Sequence, residues 1–146
     1  MEINVLEMPL DLGASRHGSD MGPSAIRLAG LKEKITELGH KITKFSCPME
    51  QHPQEYEDVE NPKAKYLSLI TKACNQLAEK VEVAALNKEF PIILGGDHSI
   101  VLGSLAGMSA ACKKLGKKIG VLYVDAHGDF NTCDTSLTGN IHGMCL

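Results

Sequence analysis

The chain has 146 residues, of which 43% are hydrophobic and 23% charged, and its formal net charge is −3. That length suffices for one domain with a buried core, and the near-neutral charge without a basic cluster gives no surface for nucleic acid. The longest apolar runs, such as Phe90–Leu94, are too short to span a bilayer, and the opening MEINVLEMPLDLG lacks the basic and apolar regions of a secretory signal.

Ile3–Met8 reads as a strand. Pro9–Gly22, rich in glycine, serine and aspartate, reads as a loop. Pro23 suits the first turn of a helix that the apolar positions 26, 28, 31, 35 and 38 carry on to Leu38, with Gly39 as its stop. Ile42, Thr43 and Phe45 give strand character to His40–Ser46, and Cys47–Pro62 is an acidic, proline-containing loop. Lys63–Glu89 has a long helical pattern whose Leu67, Ile70, Cys74, Leu77, Val81 and Ala84 fall on one stripe. Pro91–Leu94 is a short apolar strand. Ser99–Leu115 is a helix ended by Gly116, in which the GSLAG of Gly103–Gly107 reads as close helix packing. Lys118–Val124 is a last strand. Strands alternating with long helices imply an α/β fold, with a mainly parallel sheet covered on both faces. The five cysteines form no CxxC pair, so a reducing, cytoplasmic setting is expected, with Cys74 and Cys112 as small core residues.

In open parallel sheets, ligands bind beyond the carboxyl ends of the strands. Two polar clusters lie there: GGDHS (Gly95–Ser99) follows the PIIL strand, and DAHGD (Asp125–Asp129) follows the GVLYV strand. One helix separates these strands, so they are expected to be neighbours with their polar ends at one rim. Asp125, His127 and Asp129 alternate, and in an extended segment would spread over about 13 Å along one face. A curl at Gly128 would bring them together. Any one such Asp or His is ordinarily a cap or loop group; the set, with His98 as a fourth ligand and Asp97 orienting an imidazole, points to a divalent metal. Mixed oxygen and imidazole ligation favours manganese, then iron or cobalt, over zinc. Four ligands hold one ion; a binuclear site needs further bridging carboxylates. His17, His40 and His52 stand isolated and read as surface histidines, and no phosphate-cradling motif occurs.

GGDHSI, DAHGDFNT and TGNIHG together, with the opening PLDLGASRHGSDMGPSAIRLAGL, resemble the ureohydrolases and within them the arginases of bacterial type. The metal motif specifies the superfamily; FNT…TGNIHG favours arginase over agmatinase or formimidoylglutamase. The resemblance implies a three-layer αβα fold of the arginase and deacetylase type. It implies two manganese ions per subunit, with Asp125 bridging them, His98 and Asp129 completing one, and His127 ligating the other. His142 matches the family's proton-transfer histidine, and Asn131, Ser136, Thr138 and Asn140 match positions that recognise the α-carboxylate and nearby groups of L-arginine, which is cleaved to L-ornithine and urea. A homo-oligomer, trimer or hexamer, is implied for the full-length enzyme. Thr138 stands for the more familiar serine, and Cys133 and Cys145 stand where prolines are common. The family's later half brings two more ligating aspartates and a glutamate, so residues 1–146 match the N-terminal part of one such domain. The expectation is that this chain alone is incomplete as a catalyst, and an inactive metal-binding fragment is the competing reading. A metallophosphoesterase is disfavoured, because its blocks are more widely spaced and its histidine follows the asparagine directly, whereas Ile141 intervenes here.

Overall fold

A computed structural model describes residues 1–49 and 61–146, so most of the expected acidic loop, and His52, lie outside the described residues. The regular elements in chain order are β1 (Glu2–Met8), α1 (Gly22–Leu28), α2 (Leu31–Glu37), β2 (Lys41–Ser46), α3 (Leu67–Leu86), β3 (Phe90–Gly95) and α4 (Ile100–Lys114). Single 3-10 turns occur at Ser19–Met21 and Ile141–Gly143.

The sheet has the order β2-β1-β3, with both pairings parallel. The central strand β1 is apolar on both faces, as a strand covered on both sides must be. Ile3 and Val5 point to one face, where they join Ile35 of α2 and Leu94 in a small core. Leu6 and Met8, one register step away, join Ile70, Cys74, Leu77 and Val81 of α3 on the opposite face. Helices thus cover both faces, and the expected αβα layering is present. On the larger face α3 lies against α4 at glycine-limited distance. A Cβ on Gly103 would stand 2.5 Å from the Cys74 carbonyl oxygen, and one on Gly107 would meet the Ala78 carbonyl and, at 2.8 Å, Val81. GSLAG is the close-packing face of α4, as its spacing implied.

Three expectations need correction. The helix over 23–38 is two helices, because Gly30 takes the left-handed region (φ 96) and separates α1 from α2. Its expected apolar stripe is largely outside the core: Ile26, Leu28 and Leu38 are exposed, and Ile35 is buried. The helix over 63–89 starts later, at Leu67, behind a left-handed Tyr66 (φ 55), which leaves Leu67 exposed. The strand over Lys118–Val124 does not form. That run has no ladder partner among the described residues, β3 keeps its outer edge unpaired, and Leu122 and Val124 are 89% and 88% exposed. Apolar, β-branched composition favours an extended backbone, but a strand exists only where a neighbour takes its N–H and C=O groups.

Candidate metal centre

The chain turns immediately after β3. The Gly96 N–H donates to the Met8 carbonyl (3.2 Å) and the Asp97 N–H to the Leu10 carbonyl (2.7 Å). A Cβ at Gly96 would overlap the Leu10 backbone, so glycine is required for this close approach. The buried Asp97 carboxylate then accepts from the Gly13 N–H (2.8 Å), the Ser99 N–H (2.8 Å) and the Ser99 hydroxyl (2.5 Å). His98 therefore sits on a turn clamped to the β1 loop from both sides. Asp97 was expected to orient an imidazole; its oxygens are instead used by backbone and by Ser99.

Across the rim, His98 meets the second polar cluster. Its Nδ1 lies 3.8 Å from Asp125 Oδ2 and its Nε2 lies 3.4 Å from Asp129 Oδ2. The curl that permits this falls at Asp129, whose φ of 50 is in the left-handed region that Asp tolerates. One ligand-capable atom from each of His98, Asp125 and Asp129 lies within 4.8 Å of the others. Metal–ligand bonds of roughly 2.1 Å put any two ligand atoms at most about 4.2 Å apart, so a divalent ion fits after a contraction of under about 1 Å. One imidazole and two carboxylates are a mid-hardness donor set suited to such an ion.

His127 stays outside this cluster. Its side chain is 81% exposed, its Nδ1 is 3.4 Å from Asp125 Oδ1, and its own N–H donates to that same oxygen at 2.9 Å. The two oxygens of Asp125 therefore face two different imidazoles. The His127 N–H bond, opposed by desolvation and helped by the positive character of His98 and His127, holds the Asp125 carboxyl below its ordinary range. It is ionised at neutral pH.

Tyr123 is the site residue that sequence reasoning missed. Its hydroxyl donates to Asp129 Oδ2 (2.6 Å) and makes a short hydrogen bond with His98 Nε2. Its ring stands edge-on to the imidazole, with centroids 5.4 Å apart. The bond to Asp129 is the main cause that raises its phenol pKa, so it keeps its proton at neutral pH. A usable signal existed: Tyr123 precedes Asp125 by two residues and so shares its face of an extended segment.

The remaining expected site residues lie on a loop that folds back over this rim. The Asn131 N–H donates to the Gly143 carbonyl (3.1 Å), the Leu146 N–H to the Asp129 carbonyl (3.2 Å), and the His142 N–H to the Gly13 carbonyl (3.2 Å). Ser136 Oγ accepts from the Gly139 N–H (3.0 Å) and Thr138 Oγ1 from the Asn140 N–H (3.3 Å). The Asn131 side-chain carbonyl accepts from Thr135 (3.3 Å), while the Asn140 amide donates to Ser15 (2.7 Å). Both hydroxyls of Ser136 and Thr138 thus use a lone pair internally and keep their O–H hydrogens available. His17, expected to stand alone, pairs with the buried Asp11 at 3.2 Å. Cys145 is buried beside the site; burial, aided by the Asp129 charge, pushes its thiol up to about 12, so it keeps its proton at neutral pH.

Comparison with known proteins shows the family. The signature of the arginase family matches residues 1–146. Arginase of Bacillus subtilis is 43% identical over 99% of this chain, which covers 46% of that protein. The crystal structure of Bacillus cereus arginase, 44% identical, superposes with a TM-score of 0.83 over 99% of this chain and 46% of its own. Rabbit arginase-1 is 35% identical over 97% of the chain and 42% of its length. The chain spans about half the length of the relatives it matches, 46% of the Bacillus subtilis enzyme. A match across the entire chain, in sequence and in backbone, places it plainly: the chain belongs to the arginase family.

Proposed function

We propose that this chain supplies the N-terminal half of a manganese-dependent arginase site, which hydrolyses L-arginine to L-ornithine and urea. The observation that carries the reading is the convergence of His98, Asp125 and Asp129, with the segment 130–146 tied back to it by the Leu146 N–H on the Asp129 carbonyl. Manganese, when bound there, supplies a Lewis acid that makes hydroxide available near neutral pH. His98, Asp125 and Asp129 would hold one ion, and Asp125 and His127 would hold a second. The Ser136 and Thr138 hydroxyls and the Asn131 and Asn140 amides recognise the substrate α-carboxylate. Neutral donors are required there, because residues 130–146 contain no lysine or arginine. His142 delivers a proton to the departing amine nitrogen of ornithine. Two manganese ions per subunit, a homo-oligomeric trimer or hexamer, and a cytoplasmic setting complete the reading; all five thiols are free, and no described helix is long and apolar enough to cross a membrane.

Among the described residues, three carboxylate and imidazole groups cluster with no further carboxylate beside them, and the chain spans 46% of the Bacillus subtilis enzyme, so its activity is expected to need a partner half. The test mixes the manganese-loaded chain with the C-terminal half of Bacillus subtilis arginase and follows urea release from arginine and from agmatine. Urea from arginine alone, and only with both halves, supports the reading. Equal release from agmatine would move the assignment to another ureohydrolase. Full activity of the single chain would refute the need for a second half.

A further inference from the structure

We infer that Ser15 is a positioning residue for His142: its hydroxyl holds the Asn140 side chain and so fixes the Ile141–Gly143 turn on the same loop that clamps the His98 turn. The inference rests on the proposed function for the task of His142, while its geometry stands on other residues. The loop after β1 meets the end of the 130–146 segment at two points. The His142 N–H donates to the Gly13 carbonyl at 3.2 Å, and the Asn140 side-chain amide donates to Ser15 Oγ at 2.7 Å.

Residue 13 meets 142 and residue 15 meets 140, so the two segments run antiparallel. One contact would leave the turn free to pivot about it. A second contact two residues along, roughly 7 Å away in an extended segment, fixes its direction. Between the two, Ile141 is buried in the core that Leu10 and Leu12 share, which sets the depth of the turn. Gly13 carries the other end of the frame. Its N–H donates to Asp97 Oδ2 at 2.8 Å, and Asp97 also holds Ser99 on the far side of His98. A Cβ on Gly13 would stand 2.5 Å from Asp97 Oδ1, so glycine is required where one residue serves both turns. Moving His142 relative to His98 therefore means breaking bonds at Gly13 or Ser15. Ser15 is exposed, so its hydroxyl adds nothing to core packing; what it holds is the side chain of the buried Asn140.

The test compares Ser15→Ala with Ser15→Thr, which keeps the accepting oxygen. Amide hydrogen exchange in the 146-residue chain, resolved by nuclear magnetic resonance, should speed up about tenfold at His142 in Ser15→Ala, the size of one hydrogen bond, and stay within about twofold of wild type in Ser15→Thr. The Gly13 N–H, held by Asp97, should keep its rate, and the melting temperature should move by less than about 2 °C because Ser15 is exposed. That selectivity separates positioning from general loosening. In the mixture with the C-terminal half of Bacillus subtilis arginase, kcat for arginine should fall about tenfold in Ser15→Ala with KM unchanged, and recover in Ser15→Thr. Unchanged His142 exchange in Ser15→Ala, or equal acceleration at Gly13, would overturn the inference whatever the mixture does. Faster exchange at His142 with unchanged kcat would show that Ser15 holds the turn and would overturn its part in proton transfer. If the mixture releases no urea, the proposed function fails, and the exchange rates alone decide whether Ser15 positions His142.

Discussion

Asp97→Ala should unfasten the turn that presents His98. The Asp97 carboxylate accepts three hydrogen bonds, from the Gly13 N–H, the Ser99 N–H and the Ser99 hydroxyl, in a buried position. Hydrogen bonds to a charged group contribute roughly 1.5–3 kcal/mol each, so simple addition for the three gives about 4.5–9 kcal/mol as an upper bound. Water entering the space left by the side chain recovers part of this, and about 3–5 kcal/mol is the expected cost, as for other broken buried charge networks. Asp97→Asn isolates one bond. Its single carbonyl oxygen can serve Ser99 or Gly13, and its NH2 must then face a donor, so it should cost about 1.5–3 kcal/mol. Urea unfolding followed by circular dichroism reads both. With a slope near 2 kcal/mol/M for a chain of this size, the midpoint should fall by about 2 M for the alanine variant and about 1 M for the asparagine variant. Manganese affinity should fall in the same order, because the His98 turn is what the carboxylate holds. A midpoint for Asp97→Ala within about 0.25 M of wild type would refute the argument.

Other outcomes test separate parts of the account. Gly107→Ala should lower the melting temperature by about 5 °C, although the same change raises stability in an open helix, because its methyl group would meet Ala78 and Val81; a higher melting temperature would show that the α3–α4 contact is looser. Leu122→Asp should change stability by less than about 0.5 kcal/mol, since Leu122 is 89% exposed; a loss of several kcal/mol would show that the 118–124 run is buried. The Cys145 thiol, pushed up to about 12 from an ordinary 9.0, stays protonated in the folded chain. Its contribution to stability is therefore full below about pH 9 and falls as pH rises toward 12, where the unfolded chain ionises first. At pH 8.5, iodoacetamide should label the exposed Cys47 and Cys133 well before Cys145, as followed by peptide mass; the reverse order would contradict its burial.

The parts of the fold written in short-range patterns were legible in the sequence. The β1 run, the α3 stripe from Ile70 to Ala84 and the glycine pair of α4 each act within one element or against one neighbour, so periodicity and spacing reveal them. The break at Gly30 was also written locally, in the Ala29–Gly30 pair, but a stripe that counts only apolar positions passes over it. Nothing near Tyr66 signals its left-handed backbone, and the pairing of Lys118–Val124 depends on a neighbour that no local pattern names. The metal cluster divides in the same way. His98, Asp125 and Asp129 could be found because short polar side chains just beyond apolar runs mark a strand-end rim. That His127 turns outward depends on where the chain curls, at Asp129 rather than at Gly128, which is a property of the folded loop. Tyr123 escaped notice because an aromatic residue in an apolar run reads as strand core.

Of the four candidate ligands, His98 and the two aspartates converge while His127 stands apart from them. Pulsed electron paramagnetic resonance of Mn2+ bound to the chain, with natural and nitrogen-15 histidine, measures this most directly. One ion per chain is expected, with coupling to a single imidazole nitrogen that disappears in His98→Ala and persists in His127→Ala. A coupling that survives His98→Ala, or that is lost only in His127→Ala, would contradict it.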